Sequence, residues 1–157
     1  MLQPRQGSGP SIIGGFYEDG ESRVKPDLFD TKAQEIAKKL YKVSQYRGRD
    51  VTNGVSGTQL RRIFDEVKRF DYLLQLDAAM WESQLPYIKM IKSKVCYTIA
   101  RSTRNLHNSD EIRCYDVLSA FLIEGIDSIH KQKDYEVFLA LFEAVYGFYY
   151  EHAPNRS

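Results

Sequence analysis

The stretch from Ser56 to Leu74 leaves this chain the least conformational freedom. Ser56 followed three residues later by Gln59 forms a capping box, and behind it Leu60, Ile63, Phe64, Val67, Phe70 and Leu74 fall on one face of a helix. A stripe that apolar must be buried against other elements, and the rest of the sequence supplies helices to do it. Asp27 or Asp30 can cap a first helix reaching about Tyr46, with Ile36, Leu40 and Val43 inward, before Arg47-Gly48-Arg49-Asp50 and the glycines at 54 and 57 break it. After a looser link from Asp77 to Gln84, Pro86 is placed in the first turn of a third helix lasting to about Arg104. Asn108 with Glu111 is a second capping box, opening a helix to about His130 through Tyr115, Leu118, Leu122, Ile126 and Ile129. A last helix from about Asp134 to Tyr150 turns Phe138, Leu141, Phe142, Val145 and Phe148 inward. No convincing alternating strand segment stands out, and there is no solenoid-type repeat.

The expected fold is therefore all-α, a compact bundle of about five helices. It occupies residues 27–152, between a mobile glycine- and proline-rich tail at 1–26 and a short C-terminal tail at 153–157. A chain of 157 residues suits a single core of that kind. The first tail holds five of the ten glycines and three of the five prolines. It also carries a sticky patch, Ile12, Ile13, Phe16 and Tyr17, open to two readings: an inert tail, or a segment that docks on a partner.

Catalytic chemistry finds little to work with. His107, His130 and His152 have no HxH or HExxH spacing, and the single Asp127/His130 pair at i and i+3 lacks the second copy and the glutamates of a di-iron bundle. Phosphate loops and nucleophile elbows are missing as well. The chain reads as a non-enzyme without metal or cofactor. Cys96 and Cys114 lie in apolar stretches of separate helices and read as buried free thiols. No apolar run approaches the roughly 18 residues of a membrane span, and no export signal is recognised, so a cytoplasmic location without membrane contact is expected.

A net charge of +1 hides an uneven distribution: +1 over residues 1–46, +5 over 47–104 and −5 over 105–157. On the third helix Tyr87, Lys94, Tyr97, Arg101 and Arg104 share a stripe about 135° from the apolar stripe Ile88, Ile91, Val95 and Ile99. Between Pro86 and Ser109 there is no acidic residue. A solvated helix face normally alternates its charges, so this one suits a polyanion: Lys and Arg neutralise phosphates while tyrosine rings stack on bases or sugars. On the second helix Arg61 and Arg69 flank Asp65, which leaves Arg62 and Lys68 less neutralised.

Thr58 to Phe70, TQLRRIFDEVKRF, followed by Ile91 to Arg101, IKSKVCYTIAR, resembles the small subunit of the type III-A CRISPR interference complex, the Csm complex, over roughly residues 30–150. The resemblance implies a non-catalytic helical protein of antiviral defence that stacks in several copies along a filament of backbone subunits. Its implied partners are the guide RNA and target RNA, the backbone and large subunits, and copies of itself. By motif position it implies Arg61, Arg62, Lys68, Lys92, Lys94 and Arg101 as RNA-facing. The stripe adds Lys89, Tyr97 and Arg104. The alternative is a helical protein-interaction module with no nucleic-acid role.

Overall fold

The computed structural model describes residues 11–19 and 23–152. The expected C-terminal tail at 153–157 and the first ten residues lie outside them. A short π-helical turn (Leu28–Lys32) runs into α1 (Ala33–Lys38), followed by two strands, β1 (Tyr41–Tyr46) and β2 (Arg49–Gly54). Four long helices complete the chain: α2 (Gly57–Leu76), α3 (Trp81–Thr103), α4 (Ser109–Asp127) and α5 (Gln132–His152). A mostly helical body around one hydrophobic cluster is the architecture the periodicity indicated.

The capped helices begin where their signals place them. Ser56 Oγ accepts the Gln59 N–H at 3.3 Å. The reciprocal half of this box is not made by Gln59, because the Ser56 N–H donates to the Tyr115 hydroxyl at 3.3 Å, which stitches the start of α2 to α4. Asn108 Oδ1 accepts from the Asp110 and Glu111 N–H groups at 2.9 and 3.2 Å. All six apolar residues named on α2 are buried, as are Ile88, Ile91, Val95 and Ile99 on α3.

α5 is the axis of the packing. Its Phe138, Leu141, Phe142 and Val145 are fully buried, with Phe121 of α4 edge-on to Phe142 and Phe64 of α2 edge-on to it from another side. The hydroxyl of Tyr135 donates to the Val67 carbonyl at 2.6 Å, and that of Tyr149 donates to the Val55 carbonyl. Gly125 on α4 is a packing requirement: a Cβ there would sit 2.1 Å from the Phe138 ring.

Five features differ from the sequence expectation. The helix expected to reach Tyr46 ends at Lys38, and the residues beyond it form an antiparallel hairpin. Arg47 and Gly48, both at positive φ (52° and 77°), make a two-residue turn with Tyr46 paired to Arg49. Neither strand buries a face, so the alternation that announces a strand is absent, and Val43 is exposed rather than inward. Asp27 precedes the first turn without a side-chain cap, and Asp30 accepts from Gln34 instead. α3 begins at Trp81, five residues ahead of Pro86, after a 3-10 turn (Ala78–Met80) capped by Asp77. Cys96 is exposed while Cys114 is buried; both are free thiols, and burial pushes the Cys114 thiol pKa up.

The fifth difference concerns the segment expected to be a mobile tail. Within it Ile13 and Phe16 join the core, and the Phe16 ring stacks on Phe138 at 6.4 Å. The sticky patch thus docks on its own chain. Glu124 of α4 anchors it: the carboxylate accepts the Ile12, Ile13 and Gly14 N–H groups at 2.8 to 3.1 Å and the Ser11 hydroxyl at 2.5 Å. Asp134 accepts the Tyr17 hydroxyl at 2.5 Å and the His130 and Lys131 N–H groups at 2.9 and 3.1 Å. Burial pushes both carboxyl pKa values up, and these donors together outweigh it, so both end below their ordinary values. A carboxyl whose pKa is lower folded than unfolded stabilises the fold at every pH above its ordinary value, and that contribution is lost as pH falls through the lowered one. Thermal melts from pH 7 downward are therefore expected to show a stability loss beginning near the ordinary glutamate value of about 4.3. The Glu124→Gln variant should be less stable at pH 7 and lose less on acidification.

Candidate nucleic-acid interface

α2 and α3 lie side by side and leave a groove of about 360 Å³ between their outer faces. Ile63, Ile91 and Val95 form its floor, and Arg62, Lys94 and Arg101 line its walls. A second hollow of about 380 Å³ is bounded by Tyr97, Ala100, Arg101 and Arg104. Tyr97 and Arg101 line both, so the two follow α3 as one basic channel.

Spacing alone explains which expected residues meet here. Lys94, Tyr97, Arg101 and Arg104 are separated by three or four residues and stay on the α2 flank of α3. Lys89 and Lys92 turn to the opposite flank, toward the end of α4. There Lys92 Nζ pairs with Asp127 at 2.5 Å and Lys89 Nζ donates to the Ile126 carbonyl at 2.7 Å. Lys89 closes a helix C-terminus whose last carbonyls need donors. Burial lowers its pKa. On α2, Arg62 and Lys68 are six residues apart, about 120° around the helix, and point to different flanks. Lys68 lies over the Phe64 ring at 5.8 Å, and Phe64 in turn stacks on Tyr146 of α5. Arg61 makes a loose pair with Asp65 at 4.0 Å.

The nine expected residues thus separate into three groups. Arg62, Lys94, Tyr97, Arg101 and Arg104 share the channel; Arg61 and Lys68 lie outside it on α2; Lys89 and Lys92 are engaged with α4. Within the channel Arg62, Arg101 and Arg104 have no ion pair among the described residues. Tyr97 presents two thirds of its surface to solvent.

The residue that sequence reasoning missed is Glu66. It lines the groove, accepts from Lys94 Nζ at 3.1 Å and lies 3.8 Å from the Arg69 guanidinium. Its place on the Arg62 flank of α2 is legible from spacing, but its contact with Lys94 spans 28 residues and exists only once the helices pack. An exposed pair of this kind is worth about 0–1 kcal/mol, so a phosphate can replace the carboxylate.

Among the described residues no group of three or more His, Cys, Asp or Glu side chains could hold a metal ion. No helix among them is long and apolar enough to cross a membrane.

The sequence model of the Csm2 Type III-A family matches residues 25–154, which span α1 through α5 and so both walls of the channel. The chain belongs to the Csm2 Type III-A family. Comparisons with curated proteins and with solved structures returned no match. Membership makes the chain a subunit of the type III-A CRISPR complex, working with the other Csm subunits in antiviral defence.

Glu66 sets how much of the channel's charge a polyanion can use. Glu66→Gln is expected to elute from heparin at higher salt than the parent protein, with affinity raised by up to about fivefold, the equivalent of about 1 kcal/mol for the released pair. Unchanged elution would show that this carboxylate does not limit the groove.

Proposed function

We propose that this Csm2-family chain is a non-catalytic subunit that holds the guide RNA and target RNA by their backbone, independently of sequence, and stacks with copies of itself along the backbone subunits. One observation carries this reading. Three guanidinium groups with no ion pair among the described residues, Arg62, Arg101 and Arg104, line a channel that also exposes the Tyr97 ring.

Arginine suits this task because its planar fork bonds two phosphate oxygens at once and stays charged at any physiological pH. The channel's four cations outnumber the side chains in its lining that could read base edges, the Gln59 amide and the Glu66 carboxylate, and the latter is already bonded to Lys94. The channel's contacts go to phosphates and sugars, with Tyr97 available to an unstacked base. A single subunit brings few charges. Repeated along one RNA, weak contacts add because each bound subunit raises the effective concentration for the next. Arg61 and Lys68, outside the channel, are supplementary contacts in this scheme, and Lys89 and Lys92 hold α3 against α4.

The alternative, a protein-interaction module with no RNA role, has its own support: Tyr72 and Leu76 near the end of α2, and Tyr87 and Met90 near the start of α3, expose large apolar surfaces. Such a module would form complexes that survive nuclease treatment.

Filter binding with RNA of arbitrary sequence at several salt concentrations separates the two. The parent protein should lose affinity steeply with salt. Arg62→Glu with Arg101→Glu should bind at least tenfold more weakly, with a log–log slope smaller by about 1.4 for two lost phosphate contacts on a single strand. Equal affinity and slope for the parent and the double variant would refute the channel as the RNA site.

A further inference from the structure

The β1–β2 hairpin is unused by the reading above. Its root is tightly held: Leu40 and Val55 are fully buried, the Val55 N–H donates to the Leu40 carbonyl at 2.9 Å, and Lys42 pairs with Asp110 of α4 at 3.2 Å. Gly54, at φ 150°, crosses so close to Leu40 that a Cβ would sit 2.4 Å from its carbonyl oxygen. From this root two six-residue strands extend for about 20 Å, their distal ends exposed on both faces.

Two exposed strands contribute little to stability by themselves, so the arm is not explained by the core. Its register argues against a protein-docking face. Cross-strand partners share a face, which places Val43 with Thr52 and Gln45 with Asp50 on one side, and Ser44 with Val51 and Tyr46 with Arg49 on the other. Neither side carries an apolar stripe. What the tip does carry is charge and a flat ring. Arg47 lies over the Tyr46 ring at 5.3 Å, and Arg49 stands directly opposite Tyr46. Asp50, next to Arg49 in the chain, is bonded to Gln45, and neither arginine has an ion pair among the described residues.

The turn itself supplies a further clue. The first position of a two-residue turn of this hand prefers Asn, Asp or Gly, because other side chains are strained at positive φ. Arg47 occupies it at φ 52°. A strained residue kept at an exposed tip points to use of its side chain.

We propose that the hairpin tip, Tyr46 and Arg47 with Arg49, is a second RNA contact, distinct from the α2–α3 channel. The two arginines bind phosphates of a strand, and an unstacked base lies on the Tyr46 ring or the Arg47 guanidinium plane. The hairpin emerges where α2 begins and α4 begins, the end of the body that also holds Arg62 near the start of α2 and Arg101 and Arg104 near the end of α3. The inference extends the RNA-binding reading to a separate element and rests on it.

Arg47→Asn with Arg49→Gln tests it without endangering the fold, since Asn-Gly is the preferred sequence for this turn. Full-length parent, this variant, Tyr46→Ala and the Arg62→Glu/Arg101→Glu channel variant are compared for single-stranded RNA binding across a salt series. Their melting temperatures are measured alongside. The hairpin variant should melt no lower than the parent, bind RNA several-fold more weakly, and show a salt slope smaller by about 1.4 for two lost phosphates. Tyr46→Ala should weaken binding while leaving the slope unchanged. RNA affinity equal to the parent's in the hairpin variant, with the channel variant impaired, overturns this inference alone. Absence of RNA binding by the parent overturns both readings. Unchanged RNA affinity with loss of co-purifying Csm subunits assigns the tip to a protein partner and likewise refutes the proposal.

Discussion

The orientation of the channel's side chains traces back to α5, a helix apolar around so much of its circumference that other elements must enclose it. Tyr135 and Tyr149 show how that enclosure acquires a fixed register. Fourteen residues apart on α5, their hydroxyls bond the carbonyls of Val67 and Val55, twelve residues apart in the opposite direction. Both hydroxyls are deeply buried, and burial pushes their pKa values far up, so they remain neutral donors. A slip of one residue would strand two buried hydroxyls, each costing about 1–3 kcal/mol. With α2 clamped in rotation, Phe64 meets Phe142 and Tyr146 of α5, and Arg62 with Glu66 lines the groove shared with α3. The basic channel is a by-product of that rotation.

α2 and α4 were the most legible helices because two independent signals agreed at each, whereas α3 and α5 had apolar spacing without a matching cap. Ser56 and Asn108 marked starts, and apolar residues at helical spacing marked the buried faces. α1 and the hairpin failed for the converse reason. Ile36 and Leu40 continue to Val43 at helical spacing, yet Val43 is an exposed strand residue, and a two-stranded arm with no buried face has no period-two signal to offer. The one local hint, Arg47-Gly48 between segments rich in Tyr, Val and Thr, is weakened by an arginine where Asn is expected.

The candidate site divides along the same line. Which cations share a flank of α3 follows from angular spacing, so the grouping of Lys94, Tyr97, Arg101 and Arg104 was available from residue numbers alone. Which cations are already engaged was not. Asp127, the Ile126 carbonyl and Glu66 reach Lys92, Lys89 and Lys94 across 35, 37 and 28 residues, contacts that only tertiary packing creates. Charge counting treats these lysines as equals of Arg101. Geometry removes two of them from the channel and leaves the third half-neutralised.

The clasp at the N-terminus changes where this protein begins as a physical object. The family match starts at residue 25, whereas Ile13 and Phe16 are buried in the core, and Phe16 stacks on the same Phe138 ring that forbids a side chain at Gly125. A version trimmed to the matched region would bare an aromatic surface and leave the Glu124 carboxylate half-sunken without its donors. The buried unit is longer than the matched stretch, and its extra length is held by two acidic anchors, Glu124 and Asp134, more than a hundred positions downstream.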